Sequence, residues 1–270
     1  AIDGASSETT SLDYQFNIGL STSFTGEDSL DIAIDSGNTN RSVLGAAMGF
    51  DFGNTLTVDG VSYTFPLGEK MTVIVGDNTD GSALFTTACT YGGPTNTLDD
   101  CGNVNAGITN GGAMAGASYD FGSGFTAAVG YAAGETDMAT GLMSKETLDA
   151  YGVNASYTGD NFGVSVTYGL VETSSTDEDT FTAFNGYYSP EGFPSISVGY
   201  EIGEDGSVTD KTADELTSFF VGLQFDELGP GSAGIALGTK TPTVEKTDEQ
   251  YMYEAYYSYP INDGMTITPV

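Results

Sequence analysis

The chain has 270 residues, and its 38 acidic side chains against 6 basic ones give it a formal net charge of −32. Six cations cannot form the positive face that binds a phosphate backbone, which excludes nucleic acid as a partner. The sequence has no His and only two Cys, and this excludes catalytic triads built on His and the usual zinc sites.

Alternation of apolar and polar residues begins in the segment SLDYQFNIGLS, which starts at Ser11. Every second residue of this segment from Leu12 is large and apolar, and the residues between them are polar or small. Such a period of two predicts a β-strand with one apolar face. The turn TGED starts at Thr25, and the alternation then continues from Leu30 to Ile34.

The same unit, two alternating segments joined by a tight turn, returns along the whole chain. The later turns are PLGEK after Phe65, GSG after Phe121, TGDN after Tyr157, SPEGFP after Tyr188, DELGPG after Phe225 and PINDG after Tyr259. Their Gly, Pro, Asn and Asp residues are those of β-turns. We therefore predict seven hairpins and fourteen strands, with the tight turns at one end and longer connections at the other.

The two faces of these strands indicate which solvent each one meets. The polar face carries Ser, Thr, Asn, Gly and Asp, and Lys is almost absent from the strands. On the apolar face, aromatic residues lie next to the tight turns and toward the long connections, with aliphatic residues between them. Two aromatic girdles around an aliphatic band are typical of barrels in a bilayer.

Strand length and the need for backbone hydrogen bonds lead to the same fold class. The strands are close to the roughly 9–11 residues that cross a bilayer, and no segment has the roughly 20 apolar residues of a membrane helix. A sheet in a bilayer must close. We predict an all-β protein, a transmembrane antiparallel up-and-down β-barrel with a wet interior. A large soluble all-β protein, such as a double sandwich, is the alternative.

Four segments resemble cyanobacterial outer-membrane porins with an OprB-type barrel, which are carbohydrate-selective or iron-uptake porins. The segments are LSTSFTGEDSLDIAIDSGN from Leu20, VSYTFPLGEKMTVIVG from Val61, SFFVGLQFDELGPGSAGIALGTKTPT from Ser218 and YMYEAYYSYPINDGMTITPV from Tyr251. They follow the family's order along nearly the whole chain. Trp positions of the family hold Phe or Tyr here, as at Phe225.

The resemblance implies that residues 1–270 are one outer-membrane pore domain, trimmed at both ends and lacking the family's surface-layer-homology domain. The full barrel would then have sixteen strands. The resemblance also implies passage of inorganic ions and small nutrients, and assembly as a homotrimer.

Polar residues on the inward face predict the lining of a pore. The predicted lining residues are Asp13, Gln15, Asn17, Asp31, Asp35, Asp149, Glu201 and Glu254. Rings of carboxylates favour cations, so we expect the pore to prefer them. Most other acidic residues lie in or beside loops, where they keep the protein soluble in salt and contact divalent ions at the outer surface.

The longest connection, residues 77–112, is a candidate constriction loop that folds into the barrel. The residues expected at the constriction are Asp77, Asp80, Asp99, Asp100 and Arg41, the only Arg in the chain. An ordinary surface loop is the alternative for this connection. For Arg41 the alternative is a place in another loop or an interface.

Cys89 and Cys101 lie in this same connection. Their loop context predicts a disulfide formed in an oxidising compartment, with two unrelated free thiols as the alternative. The segment DNTDGS, from Asp77, lacks the alternating acidic frame of a calcium loop, so we predict no metal site there.

Taken together, these patterns predict a porin of the cell outer membrane that passes small hydrophilic solutes and ions by passive diffusion. No catalytic residue, cofactor or metal is expected. The expected partners are outer-membrane lipid and lipopolysaccharide, ions and small solutes, and copies of the chain itself. The alternative is a plugged, non-conducting structural or binding barrel whose long loops contact a phage, a cell surface or an envelope component.

Overall fold

A computed structural model describes residues 14–38, 55–108, 112–134, 143–144, 148–208, 214–239, 243–244 and 248–270. The strands are β1 (Gln15–Thr22), β2 (Ser29–Gly37), β3 (Thr57–Leu67), β4 (Met71–Asp77), β5 (Ala113–Gly122), β6 (Phe125–Ala133), β7 (Asp149–Thr158), β8 (Phe162–Glu172), β9 (Glu178–Tyr188), β10 (Ser195–Glu204), β11 (Glu215–Leu228), β12 (Gly231–Thr239), β13 (Thr243–Val244), β14 (Tyr251–Asn262) and β15 (Met265–Ile267). Among these residues, no helix is long and apolar enough to cross a membrane.

The strands form one up-and-down antiparallel sheet in which each strand pairs with the next along the chain. Fourteen strands follow one another in this way, and β13 pairs with β11 beside the main path. The predicted all-β fold, with its fourteen strands and seven hairpins, is confirmed. In the part of the chain that the structure describes, β1 and β15 are the two edges of the sheet, so the count of sixteen strands stays a prediction.

The first tight turn shows how the sequence forms these hairpins. The Asp28 carboxylate accepts hydrogen bonds from the Ser23 hydroxyl (2.5 Å) and the Thr25 amide (2.8 Å) within the turn. It also accepts one from the Tyr63 hydroxyl of the neighbouring hairpin, at 2.6 Å. These donors, that of Ser23 foremost, hold the pKa of Asp28 well below its usual range.

The two faces of the sheet have opposite composition and opposite exposure. Along β10, the apolar residues Ile196, Val198 and Tyr200 are 40%, 48% and 47% exposed. On the other face of the same strand, Ser197 and Glu201 are each only 1% exposed. A soluble sandwich buries its apolar face and exposes its polar face. This sheet is inverted: its apolar face is exposed and its polar face is buried. We call the apolar face the outer face and the polar face the inner face.

The long connection between β4 and β5 covers part of the inner face. Tyr91, Leu98 and Cys101 of this connection form the largest buried cluster together with Phe220 of β11 and neighbouring residues. The apolar core of the molecule therefore lies between a loop and the polar side of the sheet, and not between two layers of secondary structure.

Candidate functional site: a loop on the inner face

The connection between β4 and β5 crosses the inner face in two limbs. The outgoing limb, residues 81–95, runs from β6 to β14, and the return limb, residues 98–108, runs back. The base is closed by a hydrogen bond from the Gly81 amide to the Ile108 carbonyl, at 3.0 Å. Of the two interpretations of this connection, the inward fold is the one observed.

Alternate amides of the outgoing limb bind polar side chains of the sheet. The amides of Thr86, Ala88, Thr90 and Gly92 donate to side-chain oxygens of Asn154, Ser165, Ser197 and Gln224, at 3.0, 2.9, 2.9 and 3.4 Å respectively. An extended segment directs successive N–H groups to opposite sides, so every second amide faces the sheet. Every second residue of the limb therefore forms a hydrogen bond to the sheet, and these bonds reach β7, β8, β10 and β11 in turn.

Glycines on the inner face give the limbs their room. A Cβ on Gly199 of β10 would collide with the carbonyl of Cys101, and one on Gly169 of β8 would meet the backbone of Ala106. On the outgoing side, a Cβ on Gly152 of β7 would lie 2.9 Å from the Phe85 ring. The backbone of the loop can approach the sheet closely only because these positions lack side chains.

Glu254 of β14 binds the tip of the outgoing limb. Its Oε1 accepts the Tyr91 hydroxyl at 2.7 Å, and its Oε2 accepts the Thr95 hydroxyl. Glu254 is 4% exposed. Burial, with the bond to Glu254 next, raises the pKa of the Tyr91 phenol above its usual range, so the phenol stays protonated and remains a donor.

Glu201 of β10 binds the return limb in a similar way. Its Oε2 accepts the backbone amides of Asn105 and Ala106, both at 2.9 Å, and its Oε1 accepts the side-chain amide of Asn105 at 3.0 Å. Both glutamates point to the inner face, as predicted for lining residues. The loop, however, lies over them and uses their oxygens.

A disulfide between Cys89 and Cys101 joins the two limbs. Cys101 is 2% exposed, and its carbonyl accepts the side-chain amide of Asn185 of β9 at 2.8 Å. The bond thus links the outgoing limb to a point of the return limb that is itself attached to the sheet.

Two carboxylates of the return limb remain accessible. Asp99 and Asp100 are exposed, and they lie between buried Leu98 and buried Cys101. Although one side of Asp100 is accessible, protein surrounds much of it. This burial, followed by the negative charges of Asp99, Glu201 and Asp80, raises the pKa of Asp100 to about 6.

The other acids predicted in the loop have different places. Asp80 accepts the amide and the hydroxyl of Ser82 at 2.7 and 2.6 Å, in a turn at the base of the loop. Asp77 is the last residue of β4. Strand alternation puts it on the same face as Val75, which is the outer face. Arg41 lies outside the described residues.

The predicted lining residues near the N-terminus share the inner face. Asn17 pairs with Asp35, and Asp31, four residues before Asp35, lies on the same face of β2. Asp35 is 7% exposed and accepts the Thr57 hydroxyl at 3.0 Å, whereas Asp31 is half-buried and accepts the Ser29 hydroxyl at 2.7 Å. Gln15 lies at the start of β1 on this face, and Asp13 lies outside the described residues.

Asp149 does not lie with the other predicted lining residues. Along β7, the inner face carries Asn154, and alternation puts Asp149 on the outer face with Tyr151. Its carboxylate accepts the hydroxyl of Tyr131, at 2.7 Å, and it is 1% exposed. Asp149 was predicted on the inner face, but its position in the alternation of β7 puts it on the outer face.

The residues that hold the loop were not predicted from the sequence. Tyr91, Thr95 and Asn105 are unremarkable in a Thr- and Asn-rich connection, and their partners lie far along the chain. The available signal was the run of small and polar residues on the inner face. Within the described residues, no group of three or more acidic or Cys side chains could hold a metal ion.

No family model matches the chain, and no curated protein matches it. Solved structures with a similar fold include two mutants of the porin of Rhodopseudomonas blastica. The first, a triple mutant, has a TM-score of 0.60 and 13% identity, and the match covers 95% of this chain and 83% of that one. The second has a TM-score of 0.59 at 13% identity and the same coverage. At such identities the likeness concerns the fold alone: this chain has the strand arrangement of a bacterial porin barrel.

Proposed function

We propose that this chain is a bacterial outer-membrane porin that passes small hydrophilic solutes and inorganic ions by passive diffusion. The observation that carries the proposal is the inverted sheet. Its apolar residues are exposed on the outer face, whereas the polar inner face carries the chain's own loop. An exposed apolar outer face is stable in contact with the lipid of a bilayer. A polar inner face is stable in contact with a water-filled interior.

The loop on the inner face is the constriction in this proposal. In this proposal the loop, attached along the wall, narrows the channel and leaves it open. The accessible carboxylates of the return limb, Asp99 and Asp100, and Asp31 of β2 would be the charges that a passing ion meets. Because carboxylates favour cations, we propose a preference for cations over anions.

Location, assembly and solute class belong to the same proposal. An oxidised Cys89–Cys101 pair suits an envelope compartment, which supports the outer membrane as the location, with lipid and lipopolysaccharide as its surroundings. A trimer, and the carbohydrate-selective or iron-uptake specificity of OprB-type porins, remain predictions of the sequence resemblance. They have no support from a family match.

Single-channel recording in a planar bilayer with a KCl gradient tests the proposal. We expect discrete ohmic steps and a reversal potential displaced toward that of K⁺. Protein shown to be folded by heat-modifiable gel mobility, but giving no steps, would contradict the open pore. It would favour the plugged barrel that contacts a partner through its long connections.

A further inference from the structure

We propose that Glu201 and Glu254 are positioning residues: they hold the loop against the inner face and thereby set the aperture of the channel. This role rests on the proposed function, since an aperture matters only if solutes pass. It differs from the lining role that the sequence suggests for both residues, because a lining carboxylate would face water and not the loop.

The first support is what the two carboxylates contact. Glu254 accepts two loop hydroxyls, from Tyr91 and Thr95, and Glu201 accepts two loop amides and one side-chain amide. Hydrogen bonds to an ionised acceptor are about twice as strong as neutral ones. By comparison, the sheet groups that accept the backbone amides of the outgoing limb, such as the Ser197 hydroxyl, are neutral.

The second support is where the two glutamates lie. Glu254 is on β14, at the tip of the outgoing limb, and Glu201 is on β10, beside the return limb. The Cys89–Cys101 disulfide joins the two limbs, and the Cys101 carbonyl is itself bound by Asn185 of β9. The two glutamates, the disulfide and this bond together fix the position of the segment that carries Asp99 and Asp100. Loss of either glutamate leaves that segment with one attachment fewer.

The third support is the difference in exposure between the two sets of carboxylates. Glu201 and Glu254 are 1% and 4% exposed, whereas Asp99 and Asp100 are accessible. An ion in the channel meets the accessible pair. The buried pair acts on the ion only through the place that it gives to the loop.

Replacement by Gln and by Ala separates positioning from charge. Gln keeps the shape and most of the hydrogen bonding of Glu but removes the charge, whereas Ala removes both. The matched control is Glu204→Ala, because Glu204 is on β10 as well but is exposed on the outer face. The variants are Glu201→Gln, Glu201→Ala, Glu254→Gln and Glu254→Ala.

The first readout is the rate at which a phosphine reduces the Cys89–Cys101 disulfide in folded protein, followed by thiol labelling. Because Cys101 is 2% exposed and Cys89 is half-buried, a reductant has restricted access to the bond while the loop is in place, so a rate above that of wild type reports release of the loop. We expect both Ala variants to raise this rate about tenfold or more, and both Gln variants to raise it by less than about threefold. Glu204→Ala should reduce at the wild-type rate.

The second readout is single-channel conductance, with its open-channel noise. Ala variants should show altered conductance and more noise, and Gln variants should fall between them and wild type. Equal effects of Gln and Ala on the reversal potential, with wild-type reduction rates in all four variants, would overturn the proposal. Such a result would make the glutamates lining charges after all.

The disulfide readout needs no conduction, so it separates this proposal from the porin function. If wild type does not conduct but the Ala variants still speed reduction, the positioning role stands and the porin function fails. If an Ala variant does not fold, Tyr91→Phe replaces Glu254→Ala. It removes a donor to the same carboxylate from the side of the loop, and a wild-type reduction rate in that variant would count against the proposal.

Discussion

The inner face of the sheet has two regions that differ in what lies over them. The limbs of the loop form hydrogen bonds to the wall from β7 to β14, whereas their bonds do not extend to β1 and β2 in the part of the chain that the structure describes. Glu201, in the first region, is almost fully buried and binds the loop; Asp31, in the second, is half-buried and binds a neighbouring Ser of its own strand. Carboxylates on one face of one sheet therefore have different roles, which depend on the loop and not on the strand pattern.

The largest expected effect comes from adding a side chain under the loop. Gly199→Val, in the covered region, would force a Cβ into the carbonyl of Cys101. Overpacking typically costs about 1–3 kcal/mol and occasionally more, and a clash with a backbone carbonyl, which cannot rotate away as a side chain can, belongs at or above the top of that range. We therefore expect reduction of the disulfide to become at least about tenfold faster. The control is Gly19→Val on β1, where nothing lies within 4 Å of the new Cβ.

Gly19→Val should leave the reduction rate within about twofold of wild type, since Val is also well suited to a strand. Equal sensitivity of the two sites would mean that the loop does not distinguish the two regions. In that case the comparison between them would be lost.

Removal of the disulfide should have the next largest effect. The double replacement of Cys89 and Cys101 by Ser opens a link that spans 12 positions of the chain. A closed loop of this size contributes about 3 kcal/mol in the chain-entropy description. We expect a lower thermal midpoint in heat-modifiability gels and more open-channel noise. An unchanged midpoint would mean that the bonds to the sheet hold each limb without the cross-link.

A pH dependence of ion selectivity should be smaller. The carboxyl of Asp100, facing Asp99, Glu201 and Asp80, has its pKa raised to about 6 by burial and by these charges. It is therefore charged above pH 6 and becomes neutral as the pH falls through 6. We expect cation preference, measured as the reversal potential in a KCl gradient, to weaken between pH 7.5 and pH 5.

In Asp100→Asn, the reversal potential at pH 7.5 should already lie close to the wild-type value at pH 5, and its change over this range should be reduced. A full wild-type pH dependence in that variant would assign the titration to another group.

The smallest effect is expected in the region of β1 and β2. Asp31→Asn removes a charge from the inner face of β2, where Asp31 binds Ser29 of its own strand; among the described residues of the loop, none is hydrogen-bonded to it. We expect a modest loss of cation preference with a wild-type rate of disulfide reduction. Faster reduction in this variant would show that the loop also depends on the N-terminal strands.

Much of the fold could be predicted because its signals are local. The alternation along β10 and the Gly- and Asp-rich turns act between residues that are adjacent in the chain. The same rule puts Asp149 on the outer face, two residues from Tyr151, so the prediction that counted it with the inward residues misread its position in the alternation. The candidate site could be predicted only in part, because the loop was identified by its length and its Cys pair but its contacts were not.

The sequence by itself determined the strands, their turns and the two faces, because a period of two depends only on side chains that are close along the chain. Tertiary structure alone decided which carboxylates are buried and which remain accessible. Tyr91 and Glu254 are 163 positions apart, and Asn105 and Glu201 are 96 apart. Contacts at such separations arise only after the sheet has formed a wall for the loop, and no local pattern records them.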